Sequence, residues 1–213
     1  MLNDLSFKGL LFDLDGTLIH SLAAVERAWR KWAVEFGLDP DYVAPRIHGR
    51  RAVDSIAALA PHLDQQEAFA RLEHLEATDT QGVVPLPGVV AFLESLKDVP
   101  WAIVTSGSLA IAEPRIAAAG IPQPFHLVTA NDVTEGKPSP MPFLVGAYRL
   151  GLGGSEILAF EDTLAGVRSA KSAGMKVVGL SQEAASEANH FFENFEGIQI
   201  VHQGDDWFKL QSN

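Results

Sequence analysis

The chain is 213 residues long, with 47% hydrophobic residues and a formal net charge of −11, enough for one domain with a real core or one domain carrying a smaller insertion. That acidity argues against a sequence-independent grip on nucleic acid or on an anionic membrane surface, since both need clustered Lys and Arg. With no cysteine there is no disulfide framework and no thiolate zinc site, which fits the cytoplasm.

Met1 to Gly9 carries Asp4 and Lys8 and lacks an uninterrupted apolar core of signal-peptide length, and no apolar run approaches the roughly 18 residues of a membrane span. The run Leu10-Leu11-Phe12 then meets two carboxylates, Asp13 and Asp15, and Gly16 ends it. Such a run suits a strand buried on both faces of a parallel sheet, with Asp13 held where the strand emerges. Ser21 is expected to cap a helix whose Leu22, Val25, Trp29, Trp32 and Phe36 fall at helical spacing, and Gly37 closes it. Asp39-Pro40 opens a short helix towards Ile47, another spans about 52–60, and Asp64 with Glu67 starts one that carries Phe69, Leu72 and Leu75. The block 18–82 has almost no strand signal and reads as a helical insertion.

From Gly82 a stiff linker, Val83 to Gly88, leads into alternating strands and helices. Val89 to Leu96 reads as a helix, Trp101 to Val104 as a strand, and the next helix runs to Ala119, with Pro114 placing its regular start near Glu113. Phe125 to Thr129 is a strand, 140–150 a helix, Ile157 to Phe160 a strand and 163–173 a helix, followed by a strand over 176–180. A last helix over 183–194 and a weak strand over 198–201 complete the reading. This alternation implies an α/β fold, a doubly wound parallel sheet with helices on both faces.

In such sheets the ligand sits beyond the carboxyl ends of the strands, where strand order reverses. Two acids there are costly unless neutralised, and magnesium, an oxygen-seeking cation, takes one or two carboxylates and leaves room for phosphate. Asp13 then reads as a nucleophile and Asp15 as the group that handles the leaving-group proton. Thr105 and Ser106 end the second strand, where a hydroxyl and helix-start amides can hold phosphate oxygens, or where Ser is an ordinary cap. Lys137, between Gly136 and Pro138, is either a solvated charge or a partner for phosphate and Asp13. Glu161-Asp162 is either a helix cap or part of the magnesium site.

Asp13-Leu14-Asp15-Gly16-Thr17 resembles the signature of the haloacid-dehalogenase-like hydrolases. Thr105-Ser106, Gly136-Lys137-Pro138 and Glu161-Asp162 follow in the order and spacing of that family's other motifs, so the resemblance spans nearly the whole chain. It implies a Rossmann-like core, residues 1–17 and 83–213, and an inserted all-helical cap, residues 18–82, that sets substrate choice. It further implies Asp13 as nucleophile and metal ligand, Asp15 as acid and base whose carbonyl also binds the metal, and Asp162 as a third ligand. Leu14, Thr105, Ser106 and Lys137 fall to substrate binding, with Glu161 and Thr17 supporting the metal. In the cap, His48 and Arg50 stand in a loop with Gly49 and Arg51 that can reach a polar or phosphorylated substrate.

The expected activity is that of a magnesium-dependent phosphatase of small sugar or polyol phosphates, working through an aspartyl-phosphate as a cytoplasmic monomer. The segment is most similar to sugar-phosphate phosphatases of the helical-cap subgroup. It departs from the family at Met141, where an acid is frequent, and in the short turn from Lys97 to Pro100. The alternatives are a mutase of the beta-phosphoglucomutase type, disfavoured by Ala52 where such mutases tend to carry Arg, and a non-catalytic phosphosugar-binding protein. Phosphonate hydrolysis is disfavoured because Lys31 is the cap's single lysine.

Overall fold

The computed structural model describes residues 5–47 and 49–212. The chain opens with β1 (Ser6–Phe7) and β2 (Gly9–Phe12), whose four residues are all buried. A strand with no polar face must lie inside a sheet. β2 does so, paired in parallel on both sides, to β5 (Trp101–Val104) and β7 (Ile157–Glu161). With β6 (His126–Val128), β8 (Lys176–Gly179) and β9 (His190–Phe191) these make a six-stranded sheet of order β6-β5-β2-β7-β8-β9, every pairing parallel.

Between β2 and β5 the chain leaves the sheet through a two-residue strand, β3 (Ile19–His20), and returns through β4 (Val84–Pro85), to which β3 is paired antiparallel. The expected linker is thus half of a small ribbon. Among the described residues, four α-helices lie between its strands, α1 (Leu22–Glu35), α2 (Pro40–Val43), α3 (Ala52–Leu59) and α4 (Gln65–Thr78), with a short 3-10 turn, Ala44–Arg46, after α2. Asp39 and Asp64 cap α2 and α4 by accepting from the amides of Asp41 and Glu67. These helices enclose a core of their own around Trp29, Trp32, Ile56 and Leu72. Trp32 is fully buried because its indole N–H finds the Ala68 carbonyl at 2.8 Å.

After β4 come α5 (Val89–Ser95), α6 (Leu109–Ala119), α7 (Met141–Leu150), α8 (Leu164–Ser172) and the single turn α9 (Gln182–Ala185). Side chains alternate across the sheet. Leu10, Phe12, Trp101, Ile103 and Phe160 pack with Phe92 and Ile116 on one face, while Leu11, Ala102, Val104 and Ala159 pack with Phe143 and Val167 on the other.

Several elements differ from expectation. α6 starts at Leu109, not near Glu113, with Pro114 inside it. The Asn131 side chain accepts the Leu109 amide at 2.9 Å, and Ile111, Ala112, Ile116 and Ala119 are buried, so tertiary packing outweighs the proline. The helix expected over 183–194 stops at Ala185, because Asn189 exchanges hydrogen bonds with Val177 and draws the chain into β9. The weak strand is one arm of a hairpin, β10 (Ile198–Gly204) and β11 (Trp207–Ser212), and β11 pairs with β1 in a separate three-stranded sheet. Asp205 and Asp206 turn it with φ of 48° and 63°, a left-handed pair that Asn-Gly signals more plainly.

Candidate active site

Three consecutive crossovers bring the site together. From β2 the chain moves outward to β5 and β6, then returns past β2 to build β7, β8 and β9 on the other side. Asp13, Thr105 and Glu161 stand at the carboxyl ends of the three central strands, at this reversal. The loop ahead of α7 adds Lys137. Its ammonium donates to Asp13 Oδ1 at 2.5 Å and to Glu161 Oε1, and all three side chains are at least nine-tenths buried.

Burial pushes the Asp13 carboxyl up to about 7, against the pull of Lys137. Burial also works against the Lys137 charge, but Asp13 and Glu161 on either side outweigh it and hold the ammonium above its usual range. Glu161 is fixed a second time, accepting from the Thr163 amide at 3.0 Å and hydroxyl at 2.9 Å. Its carboxylate fits because residue 166 of α8 has no side chain, where a Cβ would stand 1.8 Å from Oε1. Thr163, not Asp162, caps α8, by accepting from the Gly166 amide. This removes the plain helix-cap reading of Asp162 and leaves its carboxylate free for the site.

Asp162 closes on Gly16, whose φ of +88° carries the loop past it; a Cβ there would lie 2.1 Å from Asp162 Oδ2. Asp13, Glu161 and Asp162 each offer an oxygen within 4.8 Å of the other two. Burial, with the charges of Asp13 and Glu161 added, pushes the Asp162 carboxyl well above its ordinary range. Three crowded carboxylates with oxygen-only donors, two of them buried and Asp162 half-buried, fit a hard divalent cation. The Asp15 carboxylate stands apart from this group. It accepts from Ser21 Oγ at 2.6 Å and Arg115 Nη1 at 2.9 Å, so Ser21, expected as a helix cap, makes no side-chain cap bond and holds Asp15 instead.

A cavity of about 340 Å³ opens over these groups, lined on the sheet side by Asp13, Asp15, Thr105, Ser106 and Asp162. Its other wall comes from the helical block, chiefly Leu22, Val25, Trp29, Ile47, Gly49 and Arg50. Arg50 is exposed at the mouth, with no ion-pair partner among the described residues. Arg51 turns away, pairing with Asp54 and donating to the Val133 carbonyl at 3.1 Å. His48 lies outside the described residues. Leu14 and Thr17 are fully buried and are not among the lining residues; Thr17 Oγ1 donates to Asp162 Oδ1 at 3.4 Å. Lys137 stands behind Asp13, outside the lining.

The sequence reading missed Glu76 and Arg115. Arg115 interrupts the apolar stripe of α6 one turn after Ile111, and Glu76 interrupts that of α4 one turn after Leu72; these breaks are the signal that was present. The two bridge α4 and α6 at 2.8 Å. Burial pushes the Glu76 carboxyl up, opposed by Arg115.

A family model described as haloacid dehalogenase-like hydrolase matches residues 7–174, and the chain belongs to that family. It is 44% identical to hexitol phosphatase A of Escherichia coli over 92% of this chain and 95% of that protein. Glycerol-1-phosphate phosphohydrolase 2 of Saccharomyces cerevisiae is 35% identical over 83% of this chain and 76% of its own length. Among solved structures, CbbY from Rhodobacter sphaeroides in complex with phosphate superposes with a TM-score of 0.78 over 89% of this chain and 95% of its own. At 22% identity that likeness bears on the fold alone. Among the described residues, no helix is long and apolar enough to cross a membrane.

Proposed function

We propose that this chain is a magnesium-dependent phosphatase of small sugar or polyol phosphates, with residues 18–82 as a substrate-selecting cap over a core of residues 1–17 and 83–213. One observation carries the reading: Asp13, held by Lys137 beside Glu161 and Asp162, faces a cavity shared with Thr105, Ser106 and Asp15. The two named relatives act, by their names, on phosphates of polyols.

Asp13, Asp162 and the Asp15 carbonyl would hold the magnesium ion, which supplies the charge neutralisation that lets a carboxylate approach an anionic phosphoryl group. Ser106, at the start of the loop into α6, orients the phosphoryl oxygens, and Lys137 balances charge on Asp13 and the phosphate. Asp13 attacks phosphorus in line; the P–O bond to the sugar breaks, and Asp15 donates a proton to the departing oxygen. Asp15 then takes a proton from a water that attacks the aspartyl-phosphate, freeing inorganic phosphate and Asp13. Ser21 and Arg115 hold the Asp15 carboxylate at the cavity wall.

Ala52 also lines the cavity, and a methyl group offers no grip on a second phosphate, which favours hydrolysis over the mutase reading. The test is phosphate release from hexitol, hexose, pentose and glycerol phosphates in magnesium, with isomerised sugar phosphate measured alongside. Asp13→Asn is expected to lower phosphate release by at least about a thousandfold. Undiminished release would refute the assignment.

A further inference from the structure

We propose that Glu76 and Arg115, set beside an apolar wall that includes Trp29, form the subsite that recognises the hydroxyl groups of the leaving alcohol. The inference rests on the phosphatase reading and deepens it by assigning selectivity to two residues outside the recognised motifs.

The pair is costly where it stands. The side chains of Arg115 and Glu76 are 2% and 7% exposed, and a buried ion pair is in general no more stabilising than well-packed apolar residues. Its bonding is also incomplete. Arg115 uses Nη1 on Asp15 and Nη2 on Glu76, while its buried Nε has no hydrogen-bond partner. A carboxylate has about four acceptor positions, and Arg115 and the Trp29 side chain fill two of those on Glu76. Spare acceptor positions therefore remain on the Glu76 side chain that lines the cavity, while Arg115 Nε is enclosed behind it.

An alcohol hydroxyl donates to these positions, which a carbonyl or an alkyl chain cannot. Leu22, Val25 and the ring of Trp29, whose polar edge donates to Glu76, line the same cavity and offer a surface suited to the C–H side of a polyol chain. Asp15 joins the pair to the reacting end, so the hydroxyls concerned belong to the leaving group. Because Glu76 is on α4 and Arg115 on α6, this wall exists only while the helical block is seated on the core.

The experiment compares kcat/KM for a hexitol 6-phosphate and for n-hexyl phosphate, in wild type and Glu76→Gln. Both leaving groups are alkoxides that need a proton, so damage relayed to Asp15 lowers both and cancels in their ratio. The hexitol-to-hexyl ratio is expected to fall by at least about fivefold in Glu76→Gln, mainly through KM. A smaller change, including an equal loss on both substrates, overturns the inference while leaving the phosphatase reading intact. No phosphate release from either ester by the wild type overturns both. Should Glu76→Gln fail to fold by circular dichroism, Glu76→Asp, which keeps the charge and shortens the reach, is judged by the same ratio.

Discussion

The carboxyl edge of the sheet and the helical block above it treat charge in opposite ways. At the edge, Asp13, Lys137 and Glu161 are buried against one another, and Asp162 joins them with its carboxyl pushed far up. In the block, Arg27, Arg30 and Arg71 pair with acids at the surface, and the interior around Trp32 is apolar. Burying charge costs several kcal/mol per ion, so its concentration at one edge marks where the chain gives up stability for chemistry. Glu76 and Arg115 are the exception, and they lie where the two regions meet.

Removing the cation should break the edge most severely. Lys137→Met keeps the bulk but leaves Asp13 and Glu161 without their shared partner, and is expected to cost about 3–5 kcal/mol of stability along with the activity, as read by urea unfolding and phosphate release. In the block, Trp32→Ala should cost a similar or slightly smaller amount, about 3 kcal/mol. Calorimetric titration should nevertheless find magnesium affinity at the edge within about threefold of wild type, since distant sites act independently. A larger loss would mean that the two regions do not separate as described.

A subtler change probes the fit of the edge alone. Gly16→Ala would drive a Cβ into Asp162 at a backbone angle that favours glycine, and is expected to weaken magnesium binding by about 10–100-fold with the fold retained. The smallest effect expected is on pH dependence. Asp13 ionises near 3.8 when unfolded and at about 7 when folded, so folding favours the protonated form. Its contribution to stability is complete below 3.8 and is lost as pH rises through about 7. In chelator, the melting temperature should therefore fall between pH 5.5 and pH 8, and saturating magnesium should shrink the fall by taking over from the proton.

The edge was legible because its residues follow apolar runs. Asp13, Thr105 and Glu161 each end a strand that needs no distant information to recognise, and the parallel sheet follows from the alternation of elements. The unread features depend on partners far along the chain. Ser21 reads as a cap until Asp15 is known to lie 2.6 Å from its hydroxyl, and the break that Arg115 makes in the apolar stripe of α6 has no explanation until Glu76, 39 positions earlier, is brought to it. β9 exists through the pairing of Asn189 with Val177, and the hairpin turns on two aspartates rather than on a familiar glycine turn.

The ribbon of β3 and β4 has a practical consequence for how this architecture can be altered. The chain leaves and re-enters the sheet layer at residues that are direct neighbours, His20 opposite Val84, so the intervening helices form a cassette with adjoining ends. Splicing in a foreign block at that junction requires no long loop to be closed, so under the proposed function selectivity would be exchanged by grafting while Asp13, Asp15 and Asp162 keep their places.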